Sequence, residues 1–525
     1  MRRKNAPEKQ GDFMKINIDA HKKTRLKNFW NNIHFHPTDA IEDAWGHRVL
    51  ENIKKDGVAK YVRIHSMFED IVTRDISGKL KYDFTESDTR IDYLVESGFK
   101  LLICFDFMPV CLAKDPLHSF FPSLRYKNKH FCFSAPADYS EWEEVCRVYT
   151  RHLIDRYGED AVNDWYFHCW NEPDSIYWLS DKGNDECDRD GDTDKIDEYL
   201  KLYDYFAAGV TSVSKKIKIG GPSCAGSDRF IGMFIDHVTG GTNLKTESLG
   251  VKCDFISIHC YSQGIYSNLP NKTYTSPDNI MQRLNTIHDM MVERGVGDME
   301  VVFDEWGAAG AGYSGIDEDP RLLFRETEYY PAFYARLIDL MLRNNKLNVS
   351  LMMICLSGQH KGSTDFSGYR SFFTINGFKK PIYNGYVLGA KLGDFLLEND
   401  AEKDEYNGVI PTIDDNGNVK ILIYRHVDVF NKVVPNDKVS LEITGLDGEY
   451  TLKHYRIDKC MSNSYAKWRE FGSPVMPDFE QREAIAAAGN LTEYSPEETV
   501  NADKKFNLDV IMSQNSVSLI ELIKR

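Results

Sequence analysis

Trp165-Tyr166-Phe167-His168-Cys169-Trp170-Asn171-Glu172-Pro173 is an apolar run of strand length that ends on a carboxylate and is stopped by proline. Proline has no amide hydrogen for a sheet ladder, so the strand ends at Glu172, and Asn171 beside it offers an amide donor and a carbonyl acceptor. A second run, Val301-Val302-Phe303-Asp304-Glu305-Trp306, reaches a glutamate in the same way. Runs without polar alternation are buried on both faces, as in parallel sheets covered by helices. A lone glutamate after an apolar run is usually a solvated strand end. The Asn-Glu-Pro stop and the matched second run separate this chain from that ordinary case.

Working outward, similar runs recur near residues 28–35, 61–65, 101–107, 165–170, 217–221, 254–259, 301–304 and 351–355. Between them lie stretches with helical spacing and a glycine stop, such as Arg90-Ile91-Asp92-Tyr93-Leu94-Val95-Glu96-Ser97-Gly98. Eight strand-then-helix units across residues 28–395 predict an α/β fold, a (β/α)8 TIM barrel. Such barrels carry their chemistry at the C-terminal ends of the strands, where Arg63, His65, Asn171, Glu172, His259 and Glu305 would converge.

The pattern changes after residue 395. Val419–Arg425, Lys438-Val439-Ser440-Leu441-Glu442-Ile443-Thr444 and Asn515 to Ile523 alternate apolar and polar residues, with Asp415-Asn416-Gly417 and Leu446-Asp447-Gly448 as turns. This predicts an antiparallel β-sandwich over residues 396–525, interrupted by a helical excursion with Pro474, Pro477 and the Ala-rich 484–488. Within the N-terminal segment 1–27, Phe13-Met14-Lys15-Ile16-Asn17-Ile18 reads as a strand able to pair with that sandwich.

At 525 residues the chain is too long for one simple core. A net charge of −16 argues against nucleic acid or an anionic membrane surface as partner. No run of about 18 apolar residues suggests a membrane span, and the basic N-terminus lacks an apolar signal core. The 11 cysteines are odd in number and scattered through apolar runs, the pattern of reduced thiols. A cytoplasmic protein acting on a carbohydrate is expected, and a homo-oligomer is compatible with the sequence.

The pieces Phe29-Trp30, Val62-Arg63-Ile64-His65, Phe107-Met108-Pro109, Trp170-Asn171-Glu172-Pro173-Asp174, Gly220-Gly221-Pro222, Asp254-Phe255-Ile256-Ser257-Ile258-His259 and Phe303-Asp304-Glu305 follow the order seen in glycoside hydrolase family 39. The chain resembles that family, which contains β-xylosidases and α-L-iduronidases. The resemblance implies a retaining hydrolase needing no cofactor, with Glu172 as acid/base and Glu305 as nucleophile. Burial disfavours a carboxylate's charge and suits an acid, whereas a nucleophile needs a positive neighbour to hold its pKa down, for which Arg63 is the candidate. Retention also requires the two carboxyl groups to stand about 5 Å apart.

By the same resemblance, Asn171 would bind the 2-hydroxyl of the sugar at the cleavage point, His65 and His259 would contact that sugar, and Tyr261 would touch the nucleophile. Arg370 sits near a position where iduronidases hold a sugar carboxylate. The β-xylosidases carry an aromatic-rich segment after the eighth strand. Here the run Ile354-Cys355-Leu356-Ser357-Gly358-Gln359-His360 has no tryptophan, which implies a different stacking wall. An exo-acting enzyme releasing a terminal pentose is the leading expectation. An endo-acting polysaccharide hydrolase, a uronic-acid glycosidase and a non-catalytic sugar-binding barrel stay open beside it.

Three further features have alternative readings. His34 and His36 share one face of a strand; with no third ligand nearby, sugar contact is the reading adopted and metal is not assigned. Residues 186–197, with Glu186, Asp188, Asp190, Gly191, Asp192, Asp194 and Asp197, follow the oxygen spacing of a calcium loop, though a solvated acidic loop explains them as well. Tyr177 and Trp178, soon after Glu172, either stack on the leaving-group sugar or anchor a loop.

Overall fold

The computed structural model describes residues 13–36, 41–122, 130–175, 178, 193–262, 275–310, 312, 314–356, 364–401, 404–430 and 432–525. Eight parallel strands close into a barrel: Asn32–Phe35, Tyr61–His65, Lys100–Phe105, Tyr166–Cys169, Lys218–Cys224, Phe255–Tyr261, Glu300–Gly307 and Asn348–Leu356. The eighth pairs with the first, Cys355 opposite His34, and completes the ring. These are the eight apolar runs of the sequence, with bounds shifted by a few residues. Capping side chains start several outer helices: Asp43, Asp138, Ser227 and Ser276 each accept a backbone N–H of the first turn.

Alternation along the strands decides what fills the barrel. Tyr61, Leu102, Tyr166, Phe255, Val302, Leu351 and Met353 form an apolar floor. Two residues onward on the same strands come Arg63, Cys104, His168, Ser257, Asp304 and Cys355, all buried. A polar layer therefore lies on the apolar floor, directly beneath the C-terminal mouth. Strict alternation would turn Glu305 away from Asp304's side of the strand. Register irregularities between Ile258 and His259, and between Phe303 and Trp306, set Glu305 opposite His259 and bring both to the mouth.

The C-terminal region departs from the expected sandwich of two sheets. It is one seven-stranded sheet, in the order Phe13–Arg25, Phe395–Asn399, Asn407–Ile413, Val419–Arg425, Ser516–Lys524, Asp437–Ile457 and Thr492–Met512. The strand Phe13–Arg25 pairs antiparallel with Phe395–Asn399 and also parallel with Asp437–Ile457, so the sheet curls onto itself. The physical reason is length: Asp437–Ile457 runs 21 residues and pairs with Phe13–Arg25 along its first half and with Ser516–Lys524 along its second. The helical excursion consists of Ser464–Glu470 and Phe479–Ala488.

Both faces of this sheet are used. Val409, Ile421, Ile423, Ile520 and Leu522 pack into the sheet's own core, whereas Ile410, Leu422, Tyr424, Val517 and Leu519 join the core of the barrel. They lie against the helix Tyr329–Asn344, whose residues 329–341 are all buried. Among the described residues no helix is long and apolar enough to cross a membrane.

Candidate active site

Glu172 follows the fourth barrel strand in a constrained backbone. Trp170 and Glu172 both hold left-handed conformations, with φ of 65° and 46°, and Ser223 on the neighbouring fifth strand holds φ 55°. Side chains disfavour this region at about 1–3 kcal/mol per residue, so surrounding contacts must enforce it. The Glu172 amide donates to the Ser223 carbonyl over 3.1 Å, and its carbonyl accepts from Ser175. The Glu172 side chain keeps 16% of its surface open to solvent. That of Glu305 keeps 7%.

His259 stands between the two carboxylates, its Nδ1 2.9 Å from Glu172 Oε1 and 3.6 Å from Glu305 Oε2. One oxygen of each glutamate and a His259 nitrogen all lie within 4.8 Å of one another.

Every side of Glu305 meets a donor. Arg63 Nη1 donates to Oε1 over 2.8 Å, and the Tyr261 hydroxyl donates to Oε2 over 2.6 Å. Arg370 in turn donates to the Tyr261 hydroxyl, which commits the phenol hydrogen to Glu305. Burial alone would raise the Glu305 pKa, but His259, His34, Arg63 and Arg370 hold it well below the ordinary carboxylate value. Arg63 is buried too; burial works against its charge, and Asp304 and Glu305 outweigh burial and raise its pKa. Its second nitrogen, Nη2, donates to Asn171 Oδ1 over 2.7 Å, which leaves the Asn171 amide hydrogens for a ligand.

Beneath Glu305, Asp304 is fully buried and accepts from Ser223 Oγ at 2.5 Å, with His259 Nε2 at 3.6 Å and Arg63 Nη2 at 3.5 Å. Against the cost of burial, His259 and Arg63 hold Asp304 down to about 2. Burial also opposes the charge of His259, yet Glu305 and Asp304 raise it to about 10, so it is an imidazolium at neutral pH.

The remaining expectations divide. His65 is buried with both ring nitrogens engaged, Nδ1 2.6 Å from Asp106 Oδ2 and Nε2 3.0 Å from His34 Nε2. It steadies His34, which lies 3.3 Å from Glu305. The His36 ring lies 6.5 Å from that of His65. Trp178 does not line the cleft. It is fully buried, its Nε1 donates to the Lys195 carbonyl over 3.1 Å, and its ring meets Trp170 edge-on at 4.9 Å. The anchoring role is the correct one, because a ring with no exposed surface cannot stack on a sugar. Tyr177, residues 186–192 of the acidic loop and residues 357–363 after the eighth strand lie outside the described residues. The helix Thr193–Val213 begins within the last turn of the proposed calcium spacing. His34, Glu305 and Cys355, and His65, Cys104 and Asp106, also cluster closely enough to ligate an ion. Burial raises both thiols above their ordinary pKa, which works against the thiolate a metal would need.

The model of the glycosyl hydrolases family 39 matches residues 14–502. The chain belongs to that family. It is a glycoside hydrolase, cleaving an O-glycosyl bond. A β-xylosidase from Caldicellulosiruptor saccharolyticus is 26% identical over 532 residues, spanning 97% of this chain and 98% of the relative. An α-L-iduronidase from Canis lupus familiaris is 29% identical over 264 residues, 46% of this chain and 35% of the relative. In fold, a monomeric β-xylosidase from Caulobacter crescentus CB15 aligns with a TM-score of 0.79 at 20% identity, covering 97% of this chain and 99% of that one.

Within this family 39 site, reading the sequence alone passed over Asp304, His168, Ser223 and Asp106. His168 and Asp304 fall two residues beyond floor residues on strands four and seven, a spacing that becomes a mark only once the floor is known. Ser223 and Asp106 carry no such mark, since their partners come from neighbouring strand ends.

Proposed function

We propose that this family 39 hydrolase is a retaining exo-glycosidase that releases a terminal pentose, as a β-xyloside or related arabinoside, from oligosaccharides or glycoconjugates. The observation that carries the retaining mechanism is the pair of glutamates, with an oxygen of each inside 4.8 Å and Glu305 held ionised by Arg63, His259 and Tyr261. Retaining enzymes place their carboxyl groups about 5–5.5 Å apart, and inverting ones about 6.5–9.5 Å apart to admit a water. The pentose assignment is supported by the end-to-end match to a relative named as a β-xylosidase. Ten described cysteines without a disulfide suit a reducing, cytoplasmic compartment.

In the first step Glu305 attacks the anomeric carbon while Glu172 gives its proton to the departing oxygen, leaving a glycosyl ester on Glu305. Glu172, now a carboxylate, takes a proton from water, which attacks the same carbon and frees Glu305. His259, charged and in contact with both, stabilises whichever carboxylate is ionised.

A uronic-acid glycosidase is the second reading, favoured by the buried Arg370 guanidinium beside Tyr261. A panel of aryl glycosides spanning xylose, both arabinose ring forms, galactose, glucose and uronic acids separates the two. Mass spectrometry after incubation with a 2-fluoro glycoside of the preferred sugar is expected to find the label on Glu305. Tight sugar binding with neither label nor turnover would instead mark a non-catalytic binder.

A further inference from the structure

We propose that Asp174 is the positioning residue that aims the Glu172 carboxyl at the leaving-group oxygen. Asp174 is buried and makes three backbone hydrogen bonds: Oδ1 accepts from the Ala225 amide, and Oδ2 from the amides of Gly226 and Ser227, each at 2.8 Å. Those amides form the turn between the fifth barrel strand and the helix Asp228–Gly240. Two residues back, the Glu172 amide is tied to Ser223, the last residue but one of the fifth strand. The acid/base segment is thus fastened to the fifth-strand exit at two points that bracket the reacting carboxyl.

Pro173 lies between the two points. Its ring fixes φ, so the chain from Asp174 back to Glu172 is stiff, and a displacement at one is passed to the other. At this junction Glu172 and Ser223 both keep left-handed φ, of 46° and 55°. Free chain would leave that conformation. On the far side, the Ser175 amide and hydroxyl close on the Glu172 carbonyl, and Lys195 Nζ holds the Ser175 carbonyl at 2.5 Å.

A plain helix cap does not account for Asp174. The helix Asp228–Gly240 already has one, since Ser227 Oγ accepts from the Phe230 amide. All three of Asp174's donors precede the helix or form its cap residue. Because both carboxylate oxygens are committed, the amide of an asparagine cannot replace them: its NH2 would face a donor whichever way it turned.

The inference rests on Glu172 being the acid, and the test keeps the two apart. On aryl glycosides of the sugar turned over fastest, with leaving groups from dinitrophenol to phenol, kcat/KM is measured for the native enzyme, Glu172→Gln, Asp174→Asn and Asp174→Ala. A misplaced acid harms only bonds that need protonation, by about 10²-fold. Asp174→Asn is expected to lose about that factor on the phenyl glycoside and less than about threefold on the dinitrophenyl glycoside, with Asp174→Ala losing more. An equal loss across all leaving groups, or none, overturns the proposal while Glu172→Gln still shows the dependence. If Glu172→Gln itself shows no dependence, the acid assignment fails and the proposal with it. Should the Asp174 variants not fold, Pro173→Ala keeps the three hydrogen bonds but loosens the link. A loss confined to poor leaving groups upholds the proposal, and a uniform or absent one overturns it.

Discussion

Arg63 and Glu305, 242 residues apart in the chain, share a 2.8 Å hydrogen bond between Nη1 and Oε1 inside a site where Arg63 has no exposed surface. The same guanidinium bonds Asn171 and approaches Asp304, so one planar cation organises the proposed nucleophile, the Asn171 amide and the buried aspartate. Arg63→Met would leave two carboxylates in the core without one of their cations. Breaking a buried pair on one side costs about 3–5 kcal/mol. Urea denaturation is expected to show a loss of that order together with loss of turnover. Arg63→Lys keeps the charge but not the fork, so it should recover much of the stability and little of the activity.

Tyr261 bonds Glu305, the proposed nucleophile, and is expected to act there and not on the leaving group. Its hydroxyl donates to Glu305 Oε2 over 2.6 Å and is itself fixed by Arg370. A hydrogen bond to a charged group contributes about 1.5–3 kcal/mol. Tyr261→Phe is therefore expected to lower kcat/KM by about 10–10²-fold, equally for good and poor leaving groups. Loss confined to poor leaving groups would show that Tyr261 serves the acid instead.

The barrel and its two glutamates are legible in the sequence because a strand buried on both faces is a continuous apolar run, and Pro173 marks where one of them stops. The same continuity hides the layer beneath. In Val301-Val302-Phe303-Asp304-Glu305 nothing distinguishes inward from outward residues until Val302 is known to sit on the floor. The curled sheet is hidden for a different reason: Ile18 pairs with Asn399 and with Ile443, and contacts so distant along the chain leave no local pattern. Trp178 has the composition of a sugar platform, and only its burial shows that it is an anchor.

That burial makes Trp178 a stability position. Its ring fills space against Trp170 and Tyr199 and bonds the Lys195 carbonyl. Trp178→Ala is expected to cost about 3–5 kcal/mol, read by thermal or urea unfolding. Trp178→Phe should retain the native KM, because no sugar touches the ring. A selective rise in KM for substrates with a leaving-group sugar would restore the stacking role.

His259 links stability to pH. Its folded pKa, about 10, lies above the ordinary 6.5, so the folded state binds the proton more tightly than the unfolded one. The stabilisation is complete below about pH 6.5 and is lost as pH rises through about 10. One such proton changes the unfolding free energy by at most about 1.4 kcal/mol per pH unit. Denaturation between pH 7 and 10 should show this decline, and His259→Gln should flatten it. Asp304, lowered to about 2 from an ordinary 3.8, acts in the opposite sense: its contribution is present above about 3.8 and lost as pH falls through about 2. Because Glu305 is also held down, the acidic limb of kcat/KM should fall below the ordinary carboxylate range.

The C-terminal sheet and the barrel should unfold together. The sheet-facing side of the helix Tyr329–Asn344 is buried because Ile410, Leu422, Tyr424, Val517 and Leu519 close over it. Polar ties cross the same junction: Tyr424 donates to Asp339 over 2.8 Å, and Arg336 Nη1 bonds Asp428 over 3.0 Å. Removing the sheet would expose an apolar helix face and leave Arg336 and Asp339 without these partners, and a barrel so uncovered would aggregate through that face. Equilibrium unfolding followed by tryptophan fluorescence, which reports mainly on the barrel, and by far-ultraviolet circular dichroism should give one coincident transition. A chain ending at residue 395 should fail to give a soluble folded barrel. Two separated transitions, or a stable active truncation, would show that the sheet is an independent appendage and that the shared core contributes little.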